Sequence, residues 1–271
     1  MRLSVRHTTH YRFSEPVAHG LHRLRLRPKS THGQQVIDWS MDLDGAKAEV
    51  AYEDQHHNAT MLVSTVPGTS EITVTCAGTV DTADRVGIVG PHVGPLPLWA
   101  FLAQTPLTRI GPRMRALVSA LDADRTDRLA LLHALSGAVL DSVIYETGHT
   151  DATTSAEEAM VAGHGVCQDH AHVFIGCARH LGIPARYVSG YLKITGLVEQ
   201  EAGHGWAEAH VDGLGWVGFD ISNRISPDDH YVRVATGNDY RDAAPMTGIS
   251  WGSGHSVLSV SLAIDQQVAE Q

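Results

Sequence analysis

Apolar and polar residues alternate along the first third of the chain. Leu3, Val5, His7, Thr9 and Tyr11 share one side of a period-two pattern, the signature of a half-buried strand. Shorter runs of the same kind occupy 21–26, 36–43, 49–52, 60–66 and 71–77, and turn signals such as Asp44-Gly45 and Pro67-Gly68 separate them. Several short strands at this spacing predict an antiparallel sandwich or open sheet. The Pro- and Gly-rich stretch from Gly90 to Pro97 ends that regime, and helical periods follow at 98–102, 112–121 and 126–143. Leu129, Leu132, Leu135 and Val139 form the stripe of the last of these. Ser155 and Glu158 have the form of a capping box that starts a short helix. From Ala171 onward, Val173, Phe174, Cys177, Ala178 and Leu181 repeat at helical spacing until Gly182 and Pro184 stop the helix. Strands are predicted at 185–192, 204–211 and 215–220, the last two joined by the hairpin signal Asp212-Gly213. Strand-like pieces at 231–234 and 257–263 lead into a polar, fraying end at 266–271. The pattern divides the chain into a β-rich domain, residues 1–95, and an α+β core, residues 96–271.

Composition narrows the function. Apolar residues make up 43% and charged residues 18%, values of a folded globular chain rather than a disordered one. A formal charge of −10 argues against nucleic acid and acidic membranes as main partners. No apolar run reaches the roughly 18 residues needed to span a bilayer, and no apolar segment of a secretory signal follows the basic start. Three cysteines, an odd and sparse set, fit a reducing cytoplasm better than a disulfide framework.

The candidate chemistry centres on Gly163-His164-Gly165-Val166-Cys167-Gln168-Asp169-His170. Cys167 falls in the first turn of a helix, where unpaired N–H groups and the helix dipole favour a thiolate. Such placements lower a cysteine pKa from about 8.5 to roughly 3.5–7.5. A cysteine nucleophile needs a base, and the base an acceptor that orients it. His204, Trp206, Glu208 and His210 share one face of their strand. About 20 Å separates the two histidines along it, so one alone can meet Cys167. A turn at Asp212-Gly213 sets Asp220 opposite His204 or one position off, within hydrogen-bonding range. His210 has only the loop residue Asp212 near it. Spacing therefore prefers Cys167, His204 and Asp220.

These residues also carry a resemblance. Gly165-Val166-Cys167-Gln168-Asp169, the run Leu181 to Tyr191, His204-Gly205-Trp206 and Gly215-Trp216-Val217-Gly218-Phe219-Asp220 closely resemble the transglutaminase-like core. The chain resembles the bacterial transglutaminase-like cysteine peptidases of the papain-like superfamily, including their β-rich N-terminal domain at Tyr11-Arg12-Phe13 and Arg23 to Pro28. The match extends to Asp229–Ala235 and Asp239-Tyr240. The resemblance implies an N-terminal β-sandwich-like domain followed by a core whose cysteine-bearing helix packs on an antiparallel sheet. It implies a Cys-His-Asp triad of Cys167, His204 and Asp220 acting on a peptide or amide substrate, with no cofactor. Two positions depart from it: Gly205 stands where alanine is usual, and Ile221-Ser222-Asn223 replaces Pro-Thr-Asn. The resemblance favours hydrolysis over transfer to an amine, which shares the same thioester.

Other readings compete for the same residues. His164, Cys167, His170 and His172 are zinc-type ligands, but they lack a second ligand pair at an ordinary spacing, so no metal is expected. Trp206 is expected as a wall of the cleft, with core packing as its alternative. Gln168 and Asp169 are candidates for assisting the oxyanion or bracing the loop. Tyr187 and Tyr191 read as packing residues, and Gln55-His56-His57-Asn58 as a surface loop. A scaffold that has lost catalysis is a second class of function, against which the intact Cys, His and Asp speak.

Overall fold

The computed structural model describes residues 1–200, 202–252 and 254–267. Strands β1 (Arg2–Phe13), β2 (His19–Arg27), β3 (Gln34–Asp44), β4 (Ala46–Glu53), β5 (Ala59–Thr65) and β6 (Glu71–Thr82) come first, followed by the short β7 (Ile88–Gly90). A 3₁₀ turn at Leu98–Leu102 leads to α1 (Pro112–Ala120) and α2 (Arg128–Ser142). Then come β8 (Ile144–Tyr145), α3 (Ala156–Ala162), β9 (His164–Gly165) and α4 (Cys167–His180). The rest is β10 (Ala185–Leu192), β11 (Glu199–Gln200), β12 (His204–Val211), β13 (Gly215–Phe219), β14 (Tyr231–Gly237), α5 (Tyr240–Ala243), β15 (Met246–Trp251) and β16 (Ser256–Gln266). The fold class is α+β. No helix among the described residues is long and apolar enough to cross a membrane.

The alternating pattern of β1 is realised directly: Leu3, Val5, His7 and Thr9 are all buried. Two sheets, ordered β11-β16-β1-β6-β3 and β15-β2-β5-β4, enclose an apolar core that includes Leu3, Val5, Leu24, Val63, Ile72 and Val74. A third sheet, β14-β10-β12-β13-β7, carries α4 on one face. Helices α1, α2 and α3 pack around α4, whose Phe174 and Cys177 join Leu132, Leu135 and Phe219 in the second core.

The sheets do not part at residue 95. The tail strand β16 pairs with β1 along its whole length, from Phe13↔Ser256 to Leu3↔Gln266, and β15 pairs with β2. The C-terminal strands thus complete the N-terminal sheets, while β7 crosses the other way and pairs with β13. An exposed edge of unpaired N–H and C=O groups is what such a returning strand covers. Of the stretch expected to fray, 266–271, Gln266 still belongs to β16, and Val268 to Gln271 lie outside the described residues.

Two local readings change in the structure. Helix α4 is not a one-sided stripe: every residue from Asp169 to Arg179 is buried. Its polar members are tied individually, as with Arg179, which donates to the carbonyls of Phe101, Ala185 and Asn238 and to Thr108 Oγ1. The hairpin β12–β13 turns through three residues, Asp212 to Leu214, rather than two, with Gly213 at φ 84° and Gly215 at φ 81°. Only glycine adopts that left-handed backbone freely. The extra residue shifts the register by one, to Val211↔Gly215 and Ala207↔Phe219.

Candidate active site

That register decides which face the acid occupies. One step beyond Ala207↔Phe219, Asp220 stands opposite Trp206, hence diagonal to His204 and on the same face. A two-residue loop would have turned it to the other face, since a slip of one residue inverts a strand's side chains. Beyond β13 the backbone of Asp220 bridges to Ile225 instead of continuing the ladder. His204 Nε2 and Asp220 Oδ2 lie 2.6 Å apart.

Asp220 is fully buried and densely held. The Tyr231 hydroxyl and Asn223 Nδ2 donate to the same Oδ2 at 2.6 and 2.7 Å, and the Asn223 N–H donates to Oδ1 at 3.2 Å. Burial disfavours its charge, but the hydrogen bonds from His204, Tyr231 and Asn223 hold the carboxyl below its ordinary range. Cys167 and His204 line the same cavity and interact electrostatically, and with Nε2 committed to Asp220 it is Nδ1 of the imidazole that is left for the sulfur. Burial works against charge on His204 as well, yet the neighbouring Asp220 and Cys167 push the imidazole up to about 10. Both members of the His204–Asp220 pair are therefore ionised at neutral pH.

Cys167 opens α4, where the N–H groups of a first turn have no partner within the helix. The loop before it is fixed from both sides. Gly163 ends α3 in the left-handed conformation at φ 73°, and Asp169 Oδ2 accepts from the Val166 N–H at 2.8 Å and the Thr150 hydroxyl at 2.7 Å. A Cβ on Gly165 would lie 2.8 Å from that carboxylate. Asp169 thus braces the nucleophile's loop.

Cys167, Gln168, His204 and Tyr187 line a cavity of about 270 Å³ between the core and the N-terminal sheets. Tyr187 is packed against His172, with ring centroids 5.3 Å apart, but its hydroxyl makes no hydrogen bond among the described residues. Trp206 does not line this cavity. It is buried one layer behind, stacked on His204 at 6.1 Å and against Tyr231 at 5.4 Å, beneath Gly190. His210 sits away from the cleft with its ring on Trp216.

The histidines near Cys167 do not converge with it. His170 Nε2 lies 2.8 Å from the Val143 carbonyl and Nδ1 lies 2.8 Å from Ser222 Oγ. His172 Nε2 accepts the Tyr240 N–H, and its burial pushes it down to about 3, so it is neutral. His164 instead meets Glu146 at 2.7 Å, with His149 stacked on it at 4.7 Å. These three bring ligand atoms within 4.8 Å of one another, on an exposed surface. The sequence reading did not anticipate Asn223 and Tyr231 as partners of Asp220. Asn223 had a local signal, an aspartate whose oxygen accepts a nearby backbone N–H; Tyr231 had none.

Residues 115–221 match the transglutaminase-like superfamily, and residues 3–81 match the bacterial transglutaminase-like N-terminal region. An uncharacterized protein of Mycobacterium leprae is 28% identical, covering 97% of this chain and 98% of its own. One of Mycobacterium tuberculosis is 27% identical, covering 96% and 91%. A crystal structure from Cytophaga hutchinsonii, described as a candidate cysteine protease, superposes with a TM-score of 0.77 at 22% identity, over 99% of this chain and 92% of that one. The shared core is that of a cysteine-based catalytic family. Residues 115–221 thus match a transglutaminase-like core, and residues 3–81 ahead of it match the bacterial transglutaminase-like N-terminal region.

Proposed function

We propose that the protein hydrolyses a peptide or amide bond through a thioester on Cys167. The observation that supports this most is that Cys167 and His204 line one cavity, with Asp220 hydrogen-bonded to His204 behind it. In this reading Cys167 attacks the carbonyl carbon as the thiolate paired with the His204 imidazolium, and the electron pair of the C=O moves to oxygen. His204 Nδ1 gives its proton to the departing nitrogen as the C–N bond breaks, which leaves the thioester. Water then attacks, His204 takes its proton, and the C–S bond breaks to release the acid. Asp220 orients the imidazole and stabilises its charged form without taking the proton.

The oxyanion is received by the Cys167 N–H at the start of α4 and by the Tyr187 hydroxyl, which lines the same cavity. Gln168, on the cavity wall, contacts substrate in this account. The three cysteines stand as free thiols, which supports a reducing, cytoplasmic setting. Peptide and isopeptide amides, supplied with and without an added primary amine, test the reaction type. Release of free acid that Cys167→Ala abolishes supports hydrolysis. Product diverted wholly to the amine identifies acyl transfer instead, and a chain inert toward every amide identifies a scaffold.

A further inference from the structure

The far wall of the cavity comes from the N-terminal sheets, and it contains a cation. Arg25 lines the cavity beside Leu26, on β2. Strand alternation should send Arg25 outward, since Leu24 points in. A bulge prevents this: between Leu24↔Met61 and Arg27↔Ala59 the ladder of β2 and β5 slips, and Leu24, Arg25 and Leu26 are all buried in succession. Bulges re-aim side chains in this way next to functional sites.

Arg25 is 1% exposed, yet its guanidinium is mostly uncommitted. Its Nε donates to Asp54 Oδ2 at 2.8 Å, the one hydrogen bond the group makes among the described residues. Nη1 is buried without any partner. Asp54 has no need of it, because the His56 N–H, the Asn58 N–H and Asn58 Nδ2 already fill its oxygens. Two further buried polar atoms without partners belong to residues lining the same cavity: His7 Nδ1 on β1 and Tyr191 Oη on the facing β10, whose rings meet at 5.6 Å. His7 is neutral, as burial pushes it down to about 4. Unsatisfied buried donors are costly and rare in folded proteins. Two such donors, Arg25 Nη1 and the Tyr191 hydroxyl, in residues lining the cavity that holds Cys167 point to a ligand group that completes them.

We propose that Arg25 is the specificity residue of this cleft, its terminal guanidinium nitrogens receiving a carboxylate of the substrate with the Tyr191 hydroxyl as an additional donor. This rests on the reading of Cys167 as the nucleophile. A guanidinium presents parallel N–H groups that match a carboxylate's two oxygens. The Asp54 carboxylate balances Arg25 in the free protein, so the wall holds a cation without a net charge to repel His204.

The carboxylate can lie on the acyl side of the scissile bond or on the leaving side, and two acid–amide pairs separate these. Glutaryl 4-nitroanilide and its primary amide probe the first; benzoyl-alanyl-alanine and its C-terminal amide probe the second. In one pair the acid should exceed the amide in kcat/KM by about 10- to 100-fold, the scale of a hydrogen bond to a charged group. Arg25→Lys keeps the charge facing Asp54 but loses the fork, and should reduce that ratio to within a few-fold of unity. Tyr191→Phe, which removes one oxygen, should lower it by a smaller factor. Calorimetric binding of both pairs to Cys167→Ala should show the same preference without turnover. Equal kcat/KM within both pairs, or a ratio untouched by Arg25→Lys in folded protein, overturns the assignment while leaving the nucleophile standing. If no amide is turned over, the binding arm still decides: acids held no tighter than amides refute it.

Discussion

The Tyr187 hydroxyl stands over the backbone of Gly205, so close that a Cβ at position 205 would lie 2.0 Å from it. The glycine that departs from the family's usual alanine is therefore what lets this tyrosine reach the cavity wall. Tyr187→Phe should lower kcat by about 10²-fold, at the low end of the loss of one oxyanion donor, with KM little changed. Gly205→Ala, which must displace the hydroxyl, should lower kcat in the same direction. Steady-state kinetics on any turned-over amide checks both. A Tyr187→Phe enzyme as fast as the parent would reduce Tyr187 to packing.

Asp220→Asn should keep the fold and lower the rate by about 10²–10⁴, the scale seen when an orienting acid is lost. Tyr231→Phe removes one of three side-chain donors to the same oxygen. It should cost about 10-fold or less, in keeping with one hydrogen bond to a charged group. The order of the two effects is the test: a Tyr231→Phe loss as large as that of Asp220→Asn would mean the tyrosine acts on substrate.

Much of this site was legible in the sequence, because its parts obey local rules. Cys167 lies at a helix start marked by glycines before it and a helical stripe after it, and His204 lies on an alternating strand. Asp220 does meet His204, but its position came out one residue off, because a two-residue turn was assumed where Asp212, Gly213 and Leu214 make three. The pairing of β16 with β1 joins residues 3 and 266, and no local period reports a partner so distant. Arg25 stayed hidden for a related reason, since a bulge breaks the alternation that strand reading relies on. Trp206 read as a cleft wall because it neighbours His204 in sequence, while the sheet places it one layer behind.

His204 has a pH signature with a definite sign. Its folded pKa, about 10, is raised above the unfolded value near 6.5. The stability it contributes is complete below pH about 6.5 and is lost as pH rises through about 10. The rate should fall on the alkaline side over the same range, as the imidazolium that protonates the leaving group disappears. Imidazole chemical shifts followed by NMR should titrate there, and Asp220→Asn should move the transition to lower pH. An alkaline transition that ignores Asp220→Asn would break the link.

His210→Ala should retain most activity, whereas His204→Ala should lose nearly all of it. His210 faces Trp216 and has no connection to Cys167. Equal losses in two folded variants would contradict the assignment of the base.

Glu208 should matter to stability and not to chemistry. It is fully buried between Arg186 Nε at 2.6 Å and Arg233 Nε at 2.7 Å. Burial alone would raise its pKa, but the two arginines hold it down at about 2. Its stabilisation is therefore present above about pH 4.3 and lost as pH falls toward 2. Glu208→Gln leaves two buried cations poorly balanced and should cost about 3–5 kcal/mol in urea unfolding. A loss below about 1 kcal/mol would show that water already screens the group.

The central claim is that Cys167 carries the acyl group. Enzyme mixed with an activated acyl ester, quenched in acid within one turnover and digested, should give one peptide heavier by the acyl mass, with the modification on the Cys167 sulfur. The adduct should be absent from Cys167→Ala and should persist in His204→Ala only if the ester acylates the thiol without its base. Acylation at Cys76, Cys177 or a hydroxyl in place of Cys167, or turnover by Cys167→Ala, would contradict the account.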